Sequence, residues 1–182
     1  MHWPLPLVLV SFCLLTSLLP RARARAKHQL QHKEVDAFKV FEAFPVGIAV
    51  FDEDLDGDLD CLSSVRTDFD KESQKASYTW FLMGKNGHSR KNMTLHLRPG
   101  ATPDKAVFTV DDSDGPWETA EFVYSDYQDC NIVDLPYEGT EQCIMWVSDE
   151  VKDDVPQECK DQFEYLCEIE VMAYDKDSCN AV

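Results

Sequence analysis

Cations are scarce in this chain. Seventeen lysines and arginines stand against 34 aspartates and glutamates, a formal net charge of −17. So acidic a surface repels phosphate backbones and anionic lipid headgroups, which argues against nucleic-acid and membrane-surface roles. Apolar runs are short: no segment after residue 19 is apolar enough to cross a bilayer. No two cysteines have the C-x-x-C spacing of a zinc or redox site. His28, His32, His88 and His96 show neither triad nor metal-ligand spacing. An enzyme is therefore not expected, and neither a catalytic residue, a metal nor a cofactor is assigned. Internal repeats and low-complexity linkers are missing too, and the length suits one domain with one core.

The chain opens on the apolar run Leu5–Leu19, too short to span a bilayer comfortably. Ala22-Arg-Ala24 and Ala24-Arg-Ala26 follow as small-residue cleavage sites, so residues 1–26 read as a secretory signal peptide and 27–182 as the mature domain. Cleavage removes three arginines, Cys13 and no acid, leaving a charge of about −20. Six cysteines remain, at 61, 130, 143, 159, 167 and 179. In an oxidising compartment an even number implies a disulfide framework, for which sequence alone allows fifteen pairings. Asn92-Met-Thr94 is an N-glycosylation sequon, which places Asn92 on the surface of a secreted, extracellular protein.

The stretch FDEDLDGDLDC, residues 51–61, begins like an EF-hand loop, with Asp52, Asp54, Asp56, Gly57 and Asp58 at D-x-D-x-D-G spacing. Its twelfth position is Ser63, where that loop needs a bidentate glutamate. The flanks are wrong as well. Val35–Phe44 has helical character, but Pro45 and a β-rich run separate it from the acids. The stretch reads as a solvated acidic loop between strands rather than a calcium site.

Beyond it, β-type runs alternate with turn-rich breaks. The runs are Val46–Phe51, Leu62–Phe69, Ser77–Met83, Met93–Leu97, Val107–Val110, Trp117–Tyr124, Asn131–Leu135 and Ile144–Val147. Breaks such as Lys85-Asn-Gly87 and Arg98-Pro-Gly100 carry turn chemistry. Eight strands at this spacing predict a sandwich or a closed up-and-down barrel over about residues 44–148. Closure removes exposed edges, and an eight-stranded barrel can hold one small ligand. From about 155 to 170 the period changes: Cys159, Phe163 and Cys167 share one helical face, with Pro156 suited to the first turn. Val171–Tyr174 is expected to return as a short strand.

Taken together, these pieces resemble the salivary lipocalins of ticks, the histamine-binding protein family. The resemblance is carried by Asp36-Ala-Phe-Lys39, by Cys61, by Tyr124-Ser-Asp126 ahead of Cys130, and by Cys143-Ile-Met-Trp-Val147. Val155-Pro-Gln-Glu-Cys159 with Phe163, Tyr174 and Cys179 completes it. The G-x-W signature of other lipocalins is absent, and Asp36-Ala-Phe38 stands in its place. The resemblance implies an all-β, eight-stranded antiparallel barrel with a C-terminal α-helix. It implies the pairs Cys61–Cys179, Cys130–Cys159 and Cys143–Cys167, and makes the acidic loop a solvated rim at the barrel mouth.

The same resemblance implies a sink for a small host mediator: histamine or another amine by default, or a leukotriene, fatty acid or sterol. A host protein engaged through the loops is the other partner class. Amine-binding members resemble a pattern with Asp after the cysteine of the seventh strand and Glu before the tryptophan of the eighth. Here Asn131 and Ile144 occupy those positions. A relocated carboxylate is sought in Glu118, since strand alternation puts Glu118, Ala120, Phe122 and Tyr124 on one face. Asp52 at the end of the first strand is a second candidate. Tyr78 and Trp80 are candidate ring faces for stacking or cation–π contact. Trp146 is assigned to packing.

Overall fold

The computed structural model describes residues 34–111 and 115–179. The expected signal segment, Cys13, His28 and His32 lie outside the described residues. Asp36 starts the first helix, α1 (Ala37–Ala43): its Oδ1 accepts from the N–H groups of Phe38 at 3.1 Å and Lys39 at 3.2 Å. Pro45 biases Phe44 away from helical backbone and turns the chain into strand.

Eight antiparallel strands follow: β1 (Val46–Asp52), β2 (Ser63–Asp70), β3 (Lys75–Leu82), β4 (Lys91–Pro99), β5 (Lys105–Val110), β6 (Glu118–Ser125), β7 (Cys130–Tyr137) and β8 (Thr140–Val147). Each pairs with the next. β1 pairs with β8 on one side and β2 on the other, so the sheet closes on itself. Helix α2 (Gln157–Leu166), the short strand β9 (Val171–Met172) against β1, and helix α3 (Lys176–Cys179) complete the chain. Among the described residues no helix is long and apolar enough to cross a membrane.

Two apolar clusters divide the wall. The inner one fills the cylinder and includes Phe41, Tyr78, Trp80, Phe108, Phe122 and Trp146. The outer one lies under α2 and joins Val50, Ile132, Met145 and Val147 to Phe163. β7 and β8 are therefore buried on both faces, and the last six residues of β8 are all buried.

Three disulfides hold this arrangement: Cys61–Cys179, Cys130–Cys159 and Cys143–Cys167. They are the pairs that the resemblance implied. Cys61–Cys179 spans 118 residues, for which loop closure alone contributes about 4.7 kcal/mol. The bonds spanning 29 and 24 residues contribute roughly 3.5 kcal/mol each on the same basis. Helix α2 is shorter than its apolar stripe suggested, because Cys167 already has extended backbone and caps the helix.

Three register shifts interrupt the strand ladders, and two of them reverse side chains that bear on the barrel interior. The β1–β8 register shifts between Ala49 and Phe51, and the β6–β7 register shifts between Phe122 and Tyr124. One extra residue moves every later side chain to the opposite face. Phe51 is thereby turned outward onto Phe163, with ring centroids 5.8 Å apart.

Candidate functional site

The cylinder encloses a cavity of about 70 Å³. Helix α1 closes one end of it. Val40, Phe41 and Phe44 project from α1 and its cap onto the cavity, and the Phe41 ring meets Phe122 edge-on at 5.3 Å. The helix is held to this end of the barrel by polar contacts. Tyr78 donates its hydroxyl to the carbonyls of Phe41 at 3.1 Å and Phe44 at 2.7 Å. Tyr127 accepts the Asp36 N–H at 2.9 Å, and the Ala37 N–H reaches the Pro103 carbonyl at 2.8 Å. Arg66 donates to the Phe41 carbonyl. Burial raises the Tyr78 hydroxyl far above its ordinary pKa, so it remains a donor.

The wall is aromatic and aliphatic. Trp80 and Trp146 lie with ring centroids 5.2 Å apart, and Trp146 fits only because residue 47 is glycine. A Cβ there would stand 3.1 Å from Trp146 Cε3 and 2.9 Å from Ser64 Oγ. Every residue lining the cavity is uncharged. Besides Tyr78, its polar side chains are Ser64 and Asn131, both buried. Neither makes a side-chain hydrogen bond among the described residues, so both are free to meet a guest.

The opposite end is closed by the acidic loop. Here the expectation of a solvated rim is corrected. Leu59 and Leu62 are fully buried, and they pull the loop down into the mouth. Asp58 goes in with them. Tyr137 donates its hydroxyl to Asp58 Oδ2, Lys91 Nζ stands 3.2 Å from the same oxygen, and His88 Nδ1 is 3.5 Å from Oδ1. Burial opposes the Asp58 charge, but the hydrogen bonds from Tyr137 and Lys91 outweigh it and hold the carboxyl below its usual range. Successive aspartates shape the loop: Asp52 accepts the Asp54 N–H, Asp54 that of Asp56, and Asp56 that of Asp58.

Asp52 is the exception in this loop. It is 1% exposed, its Oδ1 accepts the Asp54 N–H at 3.0 Å, and its Oδ2 has no partner. Burial, with the charges of Asp54, Asp60 and Glu53, outweighs that single hydrogen bond and raises its pKa to about 7. Asp134, on the outer wall near Glu53, Glu121 and Glu141, is raised to about 6, chiefly by burial.

The structure sorts the expected ligand residues into two groups. Tyr78, Trp80 and Phe122 line the cavity together. Glu118, Asp52 and Tyr124 do not. Glu118 does share the inward side with Ala120 and Phe122, but it is the first residue of β6 and lies exposed at the rim. It is not an internal carboxylate. The β6 bulge turns Tyr124 to the outer wall, where its hydroxyl lies 3.5 Å from Glu158 Oε1. Burial, then Glu158, raises that hydroxyl to about 12. Trp146, expected to be plain packing, is part of the cavity wall. The sequence reasoning missed Phe41, Phe44 and Ser64; the helical spacing of Val40, Phe41 and Phe44 was the available signal. Asn92 is exposed on β4. The one metal-like grouping among the described residues is Asp126 with Cys130 and Cys159, whose sulfurs are shared in a disulfide.

A family model described as tick histamine binding protein matches residues 26–181. Among solved structures, the AM182 serotonin complex is similar with a TM-score of 0.58 and 17% identity, over 79% of this chain and 92% of that one. Japanin from Rhipicephalus appendiculatus, bound to cholesterol, is similar with a TM-score of 0.55 and 10% identity, over 73% of this chain and 94% of that one. Both share the barrel fold. Comparison with curated proteins finds no match.

Proposed function

The chain belongs to the tick histamine-binding protein family, and from that premise we propose that it sequesters a neutral, largely apolar mediator inside its barrel. The family and its structural neighbours are ligand-binding proteins rather than enzymes. One observation carries the choice of ligand class: the cavity wall holds no charged side chain. A desolvated ammonium needs a carboxylate partner, whereas a sterol-like or lipid body needs only apolar surface and a partner for one polar atom. Ser64 and Asn131 supply that partner. Since ligand pockets usually measure about 300–1,000 Å³, the 70 Å³ here requires side chains such as Phe41 or Trp146 to move aside on binding. The three disulfides and the leader read at residues 1–26 support work outside the cell, and the exposed Asn92 suits a glycan.

The second reading is an amine. It is favoured by the unpartnered, buried Oδ2 of Asp52, which an ammonium could neutralise beneath the acidic loop. Titration calorimetry with cholesterol, a long-chain fatty acid, serotonin and histamine separates the two, with Trp80 and Trp146 fluorescence reporting entry to the cavity. The apolar reading expects quenching by the sterol or fatty acid. It also expects Asn131→Asp to weaken that binding about tenfold, as an unpaired buried charge must be accommodated. Tight histamine or serotonin binding that Asp52→Asn abolishes, with no response to the apolar ligands, would replace it by the amine reading.

A further inference from the structure

The larger hollow lies outside the barrel. A groove of about 260 Å³ runs between the outer face of β1, the segment before α2, the first turn of α2, and the chain from β9 into α3. Its floor is apolar: Val50, Phe51 and Val155, with Met172 left 62% exposed beside them. Its walls carry Lys152, Lys160 and Lys176, three cations gathered at one place in a chain of net charge −17.

Nearby acids engage two of these three cations and leave the third. Lys152 pairs with Asp149, and Lys176 stands 3.5 Å from Asp153. Asp153 also accepts from the Tyr174 hydroxyl at 3.1 Å. Asp175, the other acid of the groove, is engaged by Ser178, whose N–H and hydroxyl lie 2.9 and 2.8 Å from its Oδ1. Lys160 has no ion pair among the described residues. It sits in the first turn of α2, which begins at Pro156 with no side-chain cap and carries Glu158 as its acid. An anion at Lys160 would supply the ion pair that it lacks.

We propose that this groove is a second binding site, taking an amphiphilic anion: an apolar body on the Phe51–Met172 floor and an oxyanion head at Lys160, flanked by Lys152 and Lys176. The site is separate from the barrel cavity and does not depend on what the cavity holds.

Decanoate is the probe, with 1-decanol as its uncharged counterpart, titrated into the full mature chain carrying ¹³C-methyl methionine. The Met172 methyl signal should shift and saturate with decanoate. Lys160→Gln should weaken that response about five- to tenfold, the effect of one lost charge-assisted contact. Lys176→Gln should weaken it less, and decanol should respond as weakly as decanoate does on Lys160→Gln. Both substitutions are at solvent-accessible positions, and far-UV circular dichroism checks the fold. A Met172 signal that does not move, or that moves equally in wild type and Lys160→Gln, would overturn the proposal. Quenching of Trp80 and Trp146 reports the barrel interior independently, so failure at one site is distinguishable from failure at the other.

Discussion

The two ends of the barrel are closed by different chemistry. At one end α1 presses Val40, Phe41 and Phe44 into the cylinder, fastened by the Tyr78 hydroxyl and by the Arg66 guanidinium on backbone carbonyls. At the other an acidic loop folds inward on Leu59 and Leu62, latched through Asp58 and tied by Cys61–Cys179. The first closure rests on packing and on an arginine that stays charged, so its buried contacts do not titrate near neutral pH. The second places two carboxyls out of water, one well paired and one nearly unpaired, so its strength varies with pH.

Truncating the apolar plug should have the largest effect. Phe41→Ala removes a ring packed against Phe38, Tyr78 and Phe122 and should cost about 4 kcal/mol in chemical denaturation. That cost should be the same at pH 5 and pH 8. A strong pH dependence would erase the distinction between the ends.

Asp52→Asn comes next, with the opposite sign. The folded pKa of Asp52 is raised to about 7 from 3.8, so its neutral form is favoured in the fold. The stability this lends is complete below the unfolded pKa and is lost as pH rises through about 7. Asn keeps the neutral form at every pH. The variant should therefore be about 2–4 kcal/mol more stable than wild type at pH 8, with the gain fading towards pH 4. A gain that is flat with pH would show that charge does not limit closure at the loop end.

Tyr137→Phe should give the smallest change, a loss of about 2 kcal/mol at neutral pH, because it strips a hydrogen bond from the charged Asp58. Asp58 is shifted downward, so its contribution is present above the unfolded pKa and disappears as pH falls through the lower folded value. The penalty should shrink in acid. Thermal melts across that range would sharpen the contrast with Phe41→Ala.

The eight strands were legible because each side of the wall repeats with period two and turn residues interrupt the runs. β3 is the clearest case: Ala76, Tyr78, Trp80 and Leu82 are buried and the residues between them are not. The ligand residues were legible only where that period holds. Tyr78, Trp80 and Phe122 lie before any slip and face the cavity. Tyr124 and Phe51 follow bulges and face away. A bulge leaves the run of residue types unchanged while reversing its geometry, so alternation alone does not reveal it. The acidic loop misled in another way. Its charge count dominated the reading, although Leu59 and Leu62 stood among the acids and marked a segment that would be drawn inward.

By itself the amino-acid sequence determined the order of the elements, eight strands and a trailing helix; family resemblance chose the closed barrel over a sandwich and paired the cysteines. The order of the elements follows from period and turn chemistry, which are local properties of the chain. Tertiary structure alone decided which side chains meet inside: that Asn131, Ser64 and Trp146 line the cavity, that Glu118 stays at the rim, and that Asp52 and Asp58 leave water. Burial depends on what distant strands and loops bring alongside, and a charge changes its meaning once water is gone.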